Sequence, residues 1–414
     1  MTGTESPTPL DRADMRVRHD EGASGAIRAF WDRVRSGDLG ALPVVVGLIV
    51  IWTVFTALNP VFLSSANLVN LLFDSSTVGV IALGVVLMLM VGEIDLSIGS
   101  VSGFSSALLG VLWVNQGWPV ALAILAAIVV GGLIGLLYAQ LYNRFGMPSF
   151  VATLAGLLAV LGLQLYLLGG TGSINLPYGS PLVNFGQLLT MPAWASYALA
   201  ALPGLAMLIT GYRTAARRRA AGLSAHSLTG VILRAAVVTI GLELAVAYLN
   251  QARGVPWMFG LFVVLVVGMN YALTRTQWGR SMTAVGGNRE AARRAGINVK
   301  AIYTSAFVFC AMFASLGGIL AASRLASASQ QAGTGDVNLN AIAAAVIGGT
   351  SLFGGRGSAY SALLGVIVIQ SIASGLTLLD LSSSLRYMIT GGVLAIAVIV
   401  DSLARRSRAS HGRA

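Results

Sequence analysis

Trp118–Leu141 reads WPVALAILAAIVVGGLIGLLYAQL. It contains no charged residue, and its length suits the roughly 20 apolar residues an α-helix needs to cross the hydrocarbon core of a bilayer. Comparable runs recur at 42–59, 68–91, 98–114, 149–169, 193–211, 229–250, 256–273, 301–322, 358–379 and 386–403. A shorter run at 339–352 fits half of a broken helix. The expected fold is an all-α polytopic membrane protein with roughly 10–12 transmembrane segments, some of them short or broken.

Composition agrees. Hydrophobic residues make up 56% of the 414 and charged residues 10%, against about 25% charged in soluble globular chains. That deficit excludes an ordinary water-facing surface. The net charge of +11 raises nucleic acid as a partner, but the basic residues gather at segment ends and not along one face, so none is expected. Residues 1–40 are polar, with Pro7 and Pro9, and lack the apolar core and cleavage site of a signal peptide. They read as a flexible cytoplasmic tail, and Arg405–Ala414 as a second, basic one, leaving 41–404 as the membrane domain. With the N-terminus in the cytoplasm and alternating spans, only Arg253, Arg324 and Arg386 of the 26 basic residues fall outside, and Arg234 falls within a span. The positive-inside rule therefore places both termini in the cytoplasm. It fixes the parity of the span count, not the count itself.

Three polar stretches interrupt this pattern. Gly92–Ser100, GEIDLSIGS, sets two carboxylates between two spans. Acidic groups at this depth face a cavity or a polar partner, so the stretch suits either a polar solute path or a tight turn with Asp95 as helix cap. Val346–Gly357, VIGGTSLFGGRG, is dense in glycine, but no Gly-Lys-Ser/Thr follows a strand, so it is not a Walker A loop. Its glycines suit close helix packing. No other stretch offers a Walker A match. Thr274–Lys300 is a long polar connection in which Asn288 can cap a short helix over Arg289–Ala295, with Gly296 ending it. Such a helix suits docking into a groove of a soluble partner. Val91–Gly110 and Val346–Gly365 also echo each other, with Ser106–Gly110 and Ser361–Gly365 identical. The echo reads as a parallel repeat or as chance matching of apolar sequence.

Catalytic patterns are missing from this reading. His19, His226 and His411 lack metal-ligand spacing, and the single Cys310, in an apolar run, reads as a small buried hydrophobe. Asp74, Gln164, Arg234, Glu243 and Asn270 are polar groups within spans. A proton-coupled transporter using Asp74, Asp95 or Glu243 is the competing expectation.

Glu93–Ser100, EIDLSIGS, resembles the EIDLSVGS signature of bacterial ABC-type sugar permeases of the ribose/xylose class. Ala284–Val299 resembles that family's cytoplasmic coupling loop, Ala344–Leu352 its third signature, and Pro148–Ala155 its PSFIVTLA stretch. The extra basic loop and span at about 212–250 resembles the xylose-type permease. The resemblance implies a transport subunit and not an enzyme, in a bacterial cell membrane, forming the path for a monosaccharide such as xylose. It implies cytoplasmic ATPase subunits that use the ATP, an extracytoplasmic sugar-binding protein, a second permease copy and surrounding lipid. No cofactor or metal bound by the chain itself is implied. The ATPases would dock around Gly286, Gly287, Asn288, Glu290, Ala291, Ala292, Gly296 and Ile297. Candidates for the path are Glu93, Asp95, Ser97, Ser149, Phe150, Thr153, Gly348, Gly349 and Thr350.

Overall fold

The computed structural model describes residues 42–223 and 228–382 and parts of 384–399. Both tails, and most of the run at 386–403, lie outside the described residues. In chain order the elements are α1 (Leu42–Leu58), α2 (Ser65–Met90), α3 (Ile98–Gly110), α4 (Val120–Phe145), α5 (Ser149–Leu168), β1 (Ser173–Asn175), α6 (Pro181–Gln187), α7 (Ala193–Ala220) and α8 (Leu228–Leu249). They continue with α9 (Trp257–Arg275), α10 (Gln277–Gly287), α11 (Arg289–Arg294), α12 (Val299–Leu325), β2 (Ser327–Ser329), α13 (Val337–Ile347) and α14 (Ala359–Leu378). Among the described residues nine helices are long and apolar enough to cross a bilayer, with α1 and α13 shorter apolar helices. The protein is all-α and polytopic; its only described strands are two three-residue segments paired antiparallel.

The described residues divide into two compact units, one formed by 191–255 and the other by the described residues on either side of it. In the larger unit α2, α3 and α4 pack against α12 through small residues, as expected where lipid supplies no hydrophobic drive between helices. A methyl on Gly131 or Gly135 of α4 would strike Ser315 or the Phe307 carbonyl of α12, and one on Gly84 of α2 would meet the Cys310 backbone. The Ser105 hydroxyl bonds that of Ser315 at 2.8 Å. Cys310 is fully buried there. Within its most apolar window α2 is 83% buried and α4 only 22%, so α2 is interior and α4 presents Leu122, Leu125, Leu133 and Leu137 outward.

The short run at 339–352 becomes the eleven-residue α13. The chain leading into it is non-helical, a three-residue strand followed by turns, and runs beside α3: Ala328 packs with Ala107, while the Ala332 and Gly333 carbonyls lie against Gly103 and Gly99. Non-helical backbone is tolerated at such depth when protein satisfies it. Gln164 of α5 does so, its amide donating to the Ser329 and Ala332 carbonyls at 2.9 Å.

The smaller unit is the hairpin α7–α8. Its first helix runs to Ala220, so Arg213, Arg217, Arg218 and Arg219, expected in a loop, form the last turns of a helix. The two helices meet where Gly204 faces Thr239 and Gly211 faces Val231.

Candidate functional site

Helix α2 stops at Val91 because Gly92 takes φ +81°, a left-handed conformation glycine adopts readily. The turn that follows carries Glu93 and Asp95. The Glu93 carboxylate accepts from the Tyr142 hydroxyl of α4 at 2.6 Å and from the Ser149 hydroxyl of α5. Asp95 does not cap α3. Its Oδ1 accepts from the Ser97 amide at 2.8 Å and the Ser97 hydroxyl at 2.7 Å, a local turn that an Asx side chain forms readily. Burial raises the Asp95 carboxyl above the usual carboxylate range, and the two Ser97 bonds work against that rise. Thr153 accepts from the Leu96 amide at 3.1 Å, tying the turn to α5. Ser97 stands at the N-cap of α3 without a side-chain capping bond; Asn338 of α13 does the capping. Its Oδ1 accepts from the Gly99 amide and its Nδ2 donates to the Leu96 carbonyl at 2.8 Å. Phe150 stands apart from this cluster, 55% exposed.

Thr274–Lys300 is more helical than its sequence suggests. The amphipathic α10, capped by Thr276, precedes the expected short helix. Asn288 caps α11 by accepting from the Ala291 amide at 2.9 Å, and Gly296 follows at φ +81°. Gly287, Asn288, Glu290, Ala291 and Gly296 are exposed, Ile297 is half-buried and Ala292 buried. Arg293, bonded to Glu290 at 2.8 Å, holds that carboxyl below its usual value. Gly286 faces inward: a methyl there would collide with the Met90 carbonyl and the Gly355 amide.

The third stretch forms the turn between α13 and α14. Gly348 packs on the Ser361 backbone, Gly349 has φ +104° and open space where a methyl would stand, and Thr350 is buried. Farther round the turn, Gly354 abuts Gly92 and Gly286, and the Gly355 amide donates to the Met90 carbonyl at 3.0 Å. The three polar stretches thus meet, backbone on backbone, at Met90–Gly92, Gly286 and Gly354–Gly355. The first echoing segment begins at this junction, and the second passes through it at Gly354–Gly355. Their identical five residues fall at the end of α3 and near the start of α14.

Sequence reasoning passed over the residues that link these stretches by side chain. Arg289, at the start of α11, donates to the Tyr142 hydroxyl at 3.3 Å. Its guanidinium lies 5.8 Å from the Tyr142 ring and 5.3 Å from the Tyr303 ring, within range of a cation–π attraction. A chain of contacts therefore runs from α11 through Tyr142 to Glu93. The signal was available in Tyr138 and Tyr142, polar-tipped aromatics one helical turn apart. Elsewhere Asp74 pairs with Arg324 at 2.9 Å, so it is not a lone acid within a span.

The family model for "Branched-chain amino acid transport system / permease component" matches residues 67–398. The chain is 34% identical over 374 residues to the xylose transport system permease protein XylH of Escherichia coli, covering 90% of this chain and 94% of that one. It is 30% identical over 371 residues to the xylose transport system permease protein XylH of Haemophilus influenzae, covering 89% and 98%. It is 28% identical over 358 residues to the ribose import permease protein RbsC of Escherichia coli, covering 86% and 92%. No solved structure matches. A polytopic helical fold, three polar stretches gathered at one junction, and a family match across most of the chain lead to one conclusion: the protein belongs to this family of ABC transport permeases and is a membrane transport subunit.

Proposed function

We propose that the chain is the membrane path of an ATP-driven importer for a monosaccharide, xylose or a related pentose. The names of its relatives support that cargo. In this reading ATP is used by separate cytoplasmic ATPase subunits, an extracytoplasmic binding protein delivers the sugar, and a second copy of the chain completes the path. Both termini face the cytoplasm, as the arginine distribution favours.

The observation that supports the reading most is the linkage of α10 and α11 to the two glycine-rich turns, through Gly286 and through Arg289 and Tyr142. The exposed Gly287, Asn288, Glu290, Ala291 and Gly296 form the surface that meets the ATPase, with Ile297 at its edge. Gly286 and Ala292, which face inward, transmit its motion. Glu93, Asp95, Ser97, Ser149 and Thr153, with Gly348, Gly349 and Thr350, form the part of the path that this motion reaches. Phe150, outward on α5, faces lipid or the second copy.

Chemistry simplifies the test. Cys310 is the only cysteine and is fully buried, so a cysteine introduced at Ala291 is the only accessible thiol. A reagent with one thiol-reactive and one photoactivated end should join Ala291→Cys to the co-expressed ATPase and leave Tyr178→Cys, exposed in a different connection, unjoined. No product at Ala291→Cys, or equal products at both positions, contradicts the docking assignment.

A further inference from the structure

Helix α2 carries a polar stripe that the path named above does not include. Asn67, Asn70, Asp74 and Val78 follow one another at spacings of three and four, so they share one face. All four are half-buried, while Leu71, Phe73 and Ser75 between them are buried. α2 is an interior helix against which α9, α12, α13 and α14 all pack, and Asn67 accepts from the Ser374 hydroxyl of α14 at 3.1 Å. A half-buried stripe on such a helix borders a space within the bundle. Its centre is an ion pair. Asp74 Oδ1 accepts from Arg324 Nε at 2.9 Å, and Arg324 Nη2 donates to Asn70 Oδ1 at 3.3 Å. Arg324 stands in the last turn of α12, its guanidinium 5.0 Å from the Phe73 ring. The Gln187 amide of α6 holds the same turn, donating to the Arg324 carbonyl at 3.0 Å. These contacts fix the pair without exhausting it. Among the described residues Asp74 Oδ2 and Arg324 Nη1 have no hydrogen-bond partner, and the two side chains are 47% and 21% exposed.

Asp74 lies about 13 Å along α2 from its start at Ser65, a depth at which exposed charge faces a polar cavity and not acyl chains. An open carboxylate oxygen beside an open guanidinium N–H sets an acceptor next to a donor. Two neighbouring hydroxyls of a neutral sugar are the complement: one donates to the carboxylate and the other accepts from the guanidinium. An anionic ligand would meet the charge of Asp74 and a cationic one that of Arg324, so a neutral polyol suits both. A few polar groups held in place beforehand are what orient a small molecule in its site. With the N-terminus cytoplasmic, α1 carries the chain outward and α2 starts at the outer face. Building on the importer reading, we infer that Asp74 and Arg324 form a subsite in the outer half of the path that binds two neighbouring hydroxyls of the monosaccharide, with Asn70 positioning the guanidinium.

The test uses proteoliposomes holding the full chain, its ATPase and its sugar-binding protein. Val78→Cys, one turn inward of Asp74, sets a thiol on the stripe, and the buried Cys310 does not compete with it. A membrane-impermeant thiol reagent added outside should label it. No labelling would mean that the stripe faces lipid, and a disulfide between two copies that it lies between them; either overturns the inference. Asp74→Asn keeps the size of the side chain and loses the charged acceptor. It should lower the uptake of labelled xylose about tenfold, with ATPase co-purification and the unfolding midpoint close to those of the intact chain. Asp74→Arg combined with Arg324→Asp restores an ion pair but exchanges acceptor and donor, and its uptake should stay low. Undiminished uptake in Asp74→Asn, a fall in its unfolding midpoint that matches the loss of uptake, or full uptake in the exchanged pair would mean that the pair only joins two helices, and overturns the subsite. Absence of ATP-dependent xylose uptake by the intact chain would instead overturn the importer reading beneath it.

Discussion

Gly286 and Gly287 are neighbours with opposite obligations. A methyl on Gly286 meets the Met90 carbonyl and the Gly355 amide, while one on Gly287 meets nothing within 4 Å. Overpacking against backbone costs about 1–3 kcal/mol. Gly286→Ala should therefore lower the thermal unfolding midpoint of the detergent-solubilised chain by several degrees, and Gly287→Ala should leave it nearly unchanged. Equal effects would contradict the inward orientation of Gly286. Asp95 offers a second comparison. Its carboxyl is raised by burial, so the folded state holds the proton more tightly than the unfolded one. The stability it lends is greatest below the ordinary carboxylate value and is lost as pH rises through the folded value. Asp95→Asn keeps an oxygen for the two Ser97 bonds and has no charged form. It should fold normally and show a flatter stability profile from weakly acidic to neutral pH, measured by thermal unfolding; a steeper profile would contradict this. Neither property was legible in the sequence. The motif located both residues, but the direction Gly286 faces depends on Met90 and Gly355, which are remote in the chain. Asp95 reads equally well as cap or turn until its partner is known.

At the scale of elements, legibility followed periodicity. Most long apolar runs gave spans within a few residues of those observed, α7 excepted, which runs on through the arginines to Ala220, and the Asn288–Gly296 punctuation marked α11. The strand and turns from Ser327 to Asp336 were not legible. Its polar, glycine-containing sequence reads as an external loop, whereas pairing with β1 and the amide of Gln164 on α5 satisfy its backbone beside α3. Asn338, which bonds Gly99 and Leu96 from the start of α13, carries weight its sequence context does not reveal. Asn338→Ala removes the cap of α3 and the donor to the Leu96 carbonyl. It should cost about 1–3 kcal/mol and speed hydrogen exchange over the first turn of α3, and unchanged exchange there would contradict the capping role. Tyr142→Phe is the matching test of the contact chain. It keeps the ring beneath Arg289 and removes the hydroxyl that joins Arg289 to Glu93. Transport should fall severalfold while ATPase co-purification is retained. Loss of both would mean that Tyr142 only supports the fold, and retention of both that the contact chain carries no motion.

For the whole molecule, the decisive features are an abundance of apolar helices and a junction where three remote polar stretches share backbone contacts. Lipid as solvent explains the first: each spanning helix satisfies its own backbone, and glycine, alanine and serine bring α2, α3 and α4 close to α12. The proposed importer, with its ATPase a separate subunit, accounts for the second, because in that reading work done on α11 would reach the rest of the chain through contacts that do not yield. The competing proton-coupled mechanism has less to rest on, since Asp74 is paired with Arg324 and Asp95 is buried on Ser97. Uptake of labelled xylose into proteoliposomes separates the two directly. With the chain, its ATPase and its sugar-binding protein present, uptake should require ATP inside and should stop when the ATPase is omitted. Uptake by the chain alone, driven by a pH gradient without ATP, would contradict the account.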